Sequence, residues 1–189
     1  MQFGVVHRAL KGQDACGDAY FIKEFGSKVL ISVIDGLGHG PEAEAAAIMA
    51  VEHLDGNYEK SLTDIIKGCH ETLKKTRGAV IGVALVDLEL SLLRYAGLGN
   101  IEVRVRSRTT IRPISVSGIL GHNLRKVREE VFPYAPDDLI ILHSDGISAK
   151  FDLSLYPPEF FGQHPQTMAE TITARFGRER DDLTIVVAR

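Results

Sequence analysis

The sequence predicts an α+β fold, a pair of mainly antiparallel sheets flanked by helices. Short apolar runs rich in branched residues outnumber the stretches of helical periodicity, and a long middle segment, Ala79 to about Arg112, keeps period two. The element order is strands, two helices, a meander, more strands, one helix and a last strand, without the strict alternation of a doubly wound parallel fold.

Val29-Leu-Ile-Ser-Val-Ile34 is short and nearly continuously apolar, which reads as a strand covered on both faces and ended by Asp35-Gly36. After the glycine-rich Gly36-Leu-Gly-His-Gly40, Pro41 suits the first helical position. Ala43, Ala46, Ala47, Ala50 and Leu54 then recur at helical spacing up to Gly56. Ser61, with Asp64 following, opens a second helix whose stripe is Leu62, Ile65, Ile66, Cys69 and Leu73, stopped by Gly78. The meander has runs Ala79–Val86, Leu90–Ala96 and Ile101–Val105, broken by Asp87-Leu-Glu and Gly97-Leu-Gly-Asn100. Leu139-Ile-Ile-Leu142 and Leu183–Ala188 are further strands, with a helix between them bearing Met168, Ala169, Ile172 and Phe176. Ser115–Asn123 is the least structured stretch.

At 189 residues, 44% hydrophobic and 25% charged, the chain suits one globular domain, 1–189. A net charge of -3 argues against a nucleic-acid partner. The densest basic stretch, Arg104, Arg106, Arg108 and Arg112, alternates with apolar Ile101, Val103 and Val105 and reads first as a solvated strand face. Cys16 and Cys69 stand far apart without metal spacing, which gives no indication of a zinc knuckle or disulfide framework and fits a reducing compartment. No apolar run approaches the roughly 20 residues that cross a bilayer, and the start lacks a signal-peptide pattern. The expectation is a cytoplasmic monomer with no membrane partner.

Three strongly apolar strands carry aspartates at a terminus: Asp35, Asp145, and the pair Asp181 and Asp182. In an antiparallel sheet the C-terminal ends of two strands and the N-terminal end of a neighbour share one edge, so these acids can converge. Convergent carboxylates in a cleft either take up protons or bind hard cations, and oxygen donors without His or Cys select Mg²⁺ or Mn²⁺ over zinc. Two such ions clamp a phosphate ester and acidify a water between them. Glycines 17, 36 and 146 adjoin the acids and allow close backbone approach.

Four motifs, Cys16-Gly-Asp-Ala-Tyr20, Asp35-Gly-Leu-Gly-His-Gly40, Ser144-Asp-Gly-Ile147 and Asp181-Asp-Leu-Thr-Ile185, together resemble the PP2C-type (PPM) phosphatases. The likeness is to their bacterial branch with SpoIIE and RsbU, most of all to the bare-domain RsbX type of the stressosome. The resemblance implies a PP2C-like β-sandwich of two antiparallel sheets with helices on both outer faces (αββα) and metals at one end. It implies a protein serine/threonine phosphatase whose water, activated by two or three Mn²⁺ or Mg²⁺ ions, attacks phosphoserine or phosphothreonine in line without a phosphoenzyme. Carried over by residue, Asp35 would bridge the ions, the Gly36 carbonyl would complete one site, and Asp145 and Asp181 would hold the other. Asp18 would act directly or through water, and Asp182 would orient the ligands. The partners implied are phosphorylated stressosome STAS-domain proteins, in a negative feedback on stress signalling.

The chain departs from the eukaryotic branch, which has a histidine directly after Asp-Gly and an arginine before the first acid. Here Leu37 takes the first place and Lys11–Gly17 holds no arginine. His39 is the candidate general acid, and the start of the following helix offers N–H groups to a phosphate. Cys16 reads as a small buried residue, Pro157-Pro-Glu-Phe-Phe161 as a covered loop, and His7, Arg8 and His143 stay undecided. Gly118-Ile-Leu-Gly121 and Ser148 to Pro165 are candidates for shaping substrate choice. A catalytically silent phosphoprotein-binding module and a hydrolase of nucleotides or small esters are the competing readings.

Overall fold

Nine strands and three helices make four layers in the computed structural model, which describes residues 1–189. One sheet contains β1 (Phe3–Arg8), β6 (Glu102–Arg106), β8 (Leu139–His143) and β9 (Leu183–Ala188), in the order β1-β9-β8-β6. The other contains β2 (Asp18–Phe25), β3 (Lys28–Gly36), β4 (Ala79–Asp87), β5 (Leu92–Leu98) and β7 (Glu130–Pro133), in the order β2-β3-β4-β5-β7. Every neighbouring pair is antiparallel. Helices α1 (Pro41–Asp55) and α2 (Leu62–Thr72) cover the five-stranded sheet, and α3 (Pro165–Phe176) covers the four-stranded one. This is the helix-flanked sandwich that the sequence predicts.

The continuous apolar runs follow from this layering, because the central strands are covered on both faces. In β3, Leu30 and Ile34 meet Ala46, Ala47 and Leu54 of α1, while Val29, Ile31 and Val33 enter the space between the sheets. In the other sheet, Leu139, Ile141, Leu183, Ile185 and Val187 pack on Met168, Ala169 and Ile172 of α3, and Ile140, Leu142 and Val186 face inward. The small-residue face of α1 lets it lie close on the sheet, and Ser61 caps α2 by accepting the Asp64 N–H.

Several boundaries differ from the sequence reading. The strand predicted from Leu90 begins at Leu92, because Leu90 N–H closes a turn onto Asp87 and Ser91 adopts φ +53°. Helix α2 ends at Thr72, and Lys74–Gly78 forms a turn rather than more helix. β7 escaped notice because it is four residues long and ends in a proline at a sheet edge. The stretch 115–123 is held by bridges from Val116 to Leu98, from Leu120 to Ala79 and from Asn123 to Ile119. The loop around Phe160 is covered as expected, with Tyr156 stacked on it at 4.0 Å.

β1 is an edge strand, and its free edge is closed by a side chain. Gln166 of α3 accepts the Val5 N–H at 2.8 Å and donates to the Val5 carbonyl at 3.0 Å. Contact this close requires Gly4, where a Cβ would lie 2.1 Å from the Pro165 carbonyl carbon. Gly4→Ala is expected to lower the unfolding free energy by about 1–3 kcal/mol in urea titrations. An unchanged midpoint would show that α3 yields freely.

Candidate metal centre

Period two decides which side chains meet. Val29, Ile31 and Val33 of β3 face the opposite sheet, so Asp35 faces it too, at the strand's end. Asp18 pairs directly with Asp35 across β2 and β3 and shares that face. In the other sheet the inward positions of β8 and β9 continue to Ser144, Thr184 and Asp182, and Asp145 and Asp181 stand just beyond the strand ends. Asp18, Asp35, Asp145, Asp181 and Asp182 therefore gather at one end of the sandwich. They do so across two sheets, two from one and three from the other, and not along a single sheet edge as the strand-end argument expected.

The charges act on one another. Burial, then the carboxylates of Asp18, Asp145, Asp181 and Asp182, push Asp35 up to about 8. Burial raises Asp18 to about 7, against hydrogen bonds from Ser144 and Thr184 that hold it down. Asp181 is raised by burial and by Asp145, with Arg178 opposing. Such a cluster retains protons or takes a cation.

The donor set fits divalent cations of the Mg²⁺ kind. Every candidate donor is an oxygen, and Gly36 brings bare backbone to the cluster: a Cβ there would lie 2.2 Å from the Ala43 carbonyl oxygen. No three His, Cys, Asp or Glu side chains close into a cage around one point. Mg²⁺ keeps several waters and takes one or two carboxylates, so an open arrangement is the one it suits.

A buried scaffold orients these acids. Ser144 Oγ donates to Asp18 Oδ2 at 2.6 Å and accepts the Thr184 N–H at 3.0 Å. Asp182 accepts N–H groups from Leu10 and Gly17, at 2.7 and 2.9 Å, and Glu44 of α1 accepts the Cys16 N–H. The loop leading into Asp18 is thus strapped to the entry of β9 and to α1. Asn100, in the β5–β6 turn, donates to Asp145 Oδ2 at 3.0 Å. Ser144 and Thr184 were legible as parts of motifs, whereas Asn100 and Glu44 carried no local signal.

Arg77 was also missed. The β3–β4 ladder continues past Gly36 with Leu37 N–H donating to the Gly78 carbonyl, which sets Arg77 beside Gly38. Its Nη1 stands 3.0 Å from where a Cβ on Gly38, at φ +92°, would be, and its Nε pairs with Glu42. His39 is exposed next to it, 3.1 Å from the Gln13 amide. The start of α1 is a poorer phosphate cradle than the sequence suggested. Pro41 has no N–H, those of Ala43 and Glu44 go to the Gly40 carbonyl, and Glu42 and Glu44 add negative charge.

The undecided residues lie in supporting places. His143 is buried, its Nδ1 within 2.9 Å of the Ser144 carbonyl oxygen and its charge disfavoured by burial. His7 contacts Thr184 Oγ1 at 2.8 Å, and Arg8 donates to the Arg178 carbonyl. Cys16 is buried and its thiol is pushed up to about 12, so it is no nucleophile.

A family model described as Stage II sporulation protein E (SpoIIE) matches residues 26–189. The chain belongs to the SpoIIE family of PP2C-type phosphatases. The phosphoserine phosphatase RsbX of Bacillus subtilis (strain 168) is 25% identical over 182 residues, covering 95% of this chain and 89% of RsbX. Stage II sporulation protein E of Priestia megaterium is 23% identical, covering 98% of this chain and 36% of that protein. A structure solved in work on the bacterial stressosome, as a modular system adapted to control secondary messenger signaling, shares 34% identity. It superposes with a TM-score of 0.92 over 100% of this chain and 98% of its own. RsbX crystallised in complex with magnesium has the same fold, with a TM-score of 0.81 at 22% identity over 97% of this chain and 92% of its own. This family member is a phosphatase, a hydrolase of a metal-dependent class. No helix is long and apolar enough to cross a membrane.

Folded Asp18 and Asp35 keep protons up to about 7 and about 8, whereas unfolded carboxylates lose them near pH ~4. Stability from this source is complete below about pH 4 and is lost as pH rises through the folded values. In chelator, the melting temperature is expected to be higher near pH ~5.5 than near pH ~8.5, and Asp35→Asn or saturating Mg²⁺ to reduce the gap. A melting temperature that rises over this range would contradict the raised carboxylates.

Proposed function

We propose that the chain, as one domain of residues 1–189, dephosphorylates phosphoserine and phosphothreonine in proteins at a two-ion Mg²⁺ or Mn²⁺ centre. The observation that carries this is the meeting of acids from both sheets, with Asp35 feeling the charge of all four others. Asp35, the Gly36 carbonyl beside it, Asp145 and Asp181 would hold the ions. Asp18, oriented by Ser144 Oγ on its Oδ2, would act on an ion directly or through water. Asp182 spends both oxygens on the loop before Asp18 and acts by positioning.

Divalent ions bound there supply Lewis-acid polarisation of the phosphoryl group and a water acidified to attack at neutral pH. The chain's own residues orient the ester. Arg77, fixed by Glu42, meets phosphoryl oxygens from the Gly38 side and takes the part of the arginine lacking in Lys11–Gly17. Exposed His39 is placed to protonate the leaving serine or threonine oxygen. The RsbX relative and the stressosome-related structure support phosphorylated stressosome proteins, among them STAS-domain proteins, as substrates in a feedback reset of a stress response.

The test is phosphate release from a phosphoseryl STAS-domain protein with Mn²⁺ or Mg²⁺. Chelator and Asp35→Ala are each expected to remove more than about a hundredfold of kcat/KM, and Asp182→Asn about ten- to a hundredfold. Arg77→Ala is expected to raise KM by about tenfold, while Cys16→Ser keeps most activity. Turnover that survives chelation, or tight phosphoprotein binding without turnover, would sink the proposal.

A further inference from the structure

β6 is the edge strand of its sheet, paired with β8 and unpaired on its other side. A groove of about 490 Å³ runs along this edge, with buried Val103 and Ile111 at its base and Arg104, Arg112 and Lys150 around it. A second groove, of about 430 Å³, shares Val103, Arg104 and Pro113 with the first and reaches Asn100, whose amide holds Asp145. The two form one track that ends at Asn100, the hydrogen-bond partner of Asp145.

The track is basic. Arg104 pairs with Glu102, but Arg112 and Lys150 have no carboxylate within 4.0 Å. The one acid of the first groove, Asp152, accepts the Ser154 N–H. Uncovered N–H and C=O groups of an edge strand accept an extended peptide by adding a strand, and adjoining pockets read its side chains.

Resting on the phosphatase reading, we propose that this track seats the substrate chain that flanks the phosphorylated residue, extended along β6, and selects an acidic side chain there. The register sets the spacing. Arg104 lies opposite Ile141, four residues before Asp145 on β8 and four after Asn100 on the other side. At about 3.3 Å per residue this is about 13 Å, so the selected acid stands about four positions from the phosphoresidue.

Phosphoserine peptides carrying a single Glu at successive positions on either side test this, with p-nitrophenyl phosphate, which has no flanking chain, reporting on the metal centre alone. Mn²⁺-dependent kinetics of the full chain are expected to show KM lowest, by about tenfold, with Glu about four positions away on one side. The double variant Arg112→Glu, Lys150→Glu is expected to lose that preference and to favour Lys at the same position. Indifference to the position of Glu, or an unchanged preference in the double variant, would overturn the docking track. Absence of p-nitrophenyl phosphate turnover by the unaltered protein with Mn²⁺ would overturn the phosphatase reading, and the track with it.

Discussion

Mutual repulsion among carboxylates held at one end of the sandwich is the constraint around which the rest is arranged. Asp18 and Asp35 come from one sheet, Asp145, Asp181 and Asp182 from the other, and no lysine or arginine is inserted among Asp18, Asp35 and Asp182 to neutralise them. Burial, and after it neighbouring carboxylates, favour the protonated forms of Asp18, Asp35 and Asp181. A fold tolerates such a concentration only where another positive charge or a proton completes it. The two inter-sheet faces hold the acids apart yet within reach of one another, because the hydrophobic layer between the sheets continues unbroken up to their positions.

Around that cluster, the polar groups that do not face it serve to immobilise it. Ser144 and Thr184 tie the ends of β8 and β9 to Asp18, Asp182 and Glu44 fasten the incoming loop, and Asn100 holds Asp145. These bonds are short and several are buried, where the loss of a partner leaves an expensive orphan. Rigidity at the acids contrasts with the surroundings of β6, where charge and apolar floor are left open beside the same end.

The departures from the eukaryotic pattern gain a physical explanation. Leu37 replaces a polar residue after Asp35-Gly36 and packs with the layer between the sheets. Ahead of Asp18 there is no arginine in Lys11–Gly17, and Arg77 reaches the Gly38 turn from a different segment through the extended ladder of β3 and β4. A guanidinium and an imidazole thus flank the Gly38 turn, where the backbone needs a left-handed conformation open to glycine.

Period two, short branched runs and Gly, Pro and Ser punctuation were enough to read most of the helix-flanked double sheet, and oxygen-only acids at strand ends raised the expectation of a hard-cation site. These features are local, repeated every two to four residues, and survive in one dimension. Short β7, the ordered stretch 115–123 and the start of β5 at Leu92 were hidden, since each depends on a partner distant in sequence or on one turn. Only the tertiary structure decided that the acids meet between two sheets and that Asn100, Glu44 and Arg77 belong beside them. Strand pairing and the stacking of sheets, which no single segment encodes, bring residues 18, 35, 77, 100, 145 and 181 to one place.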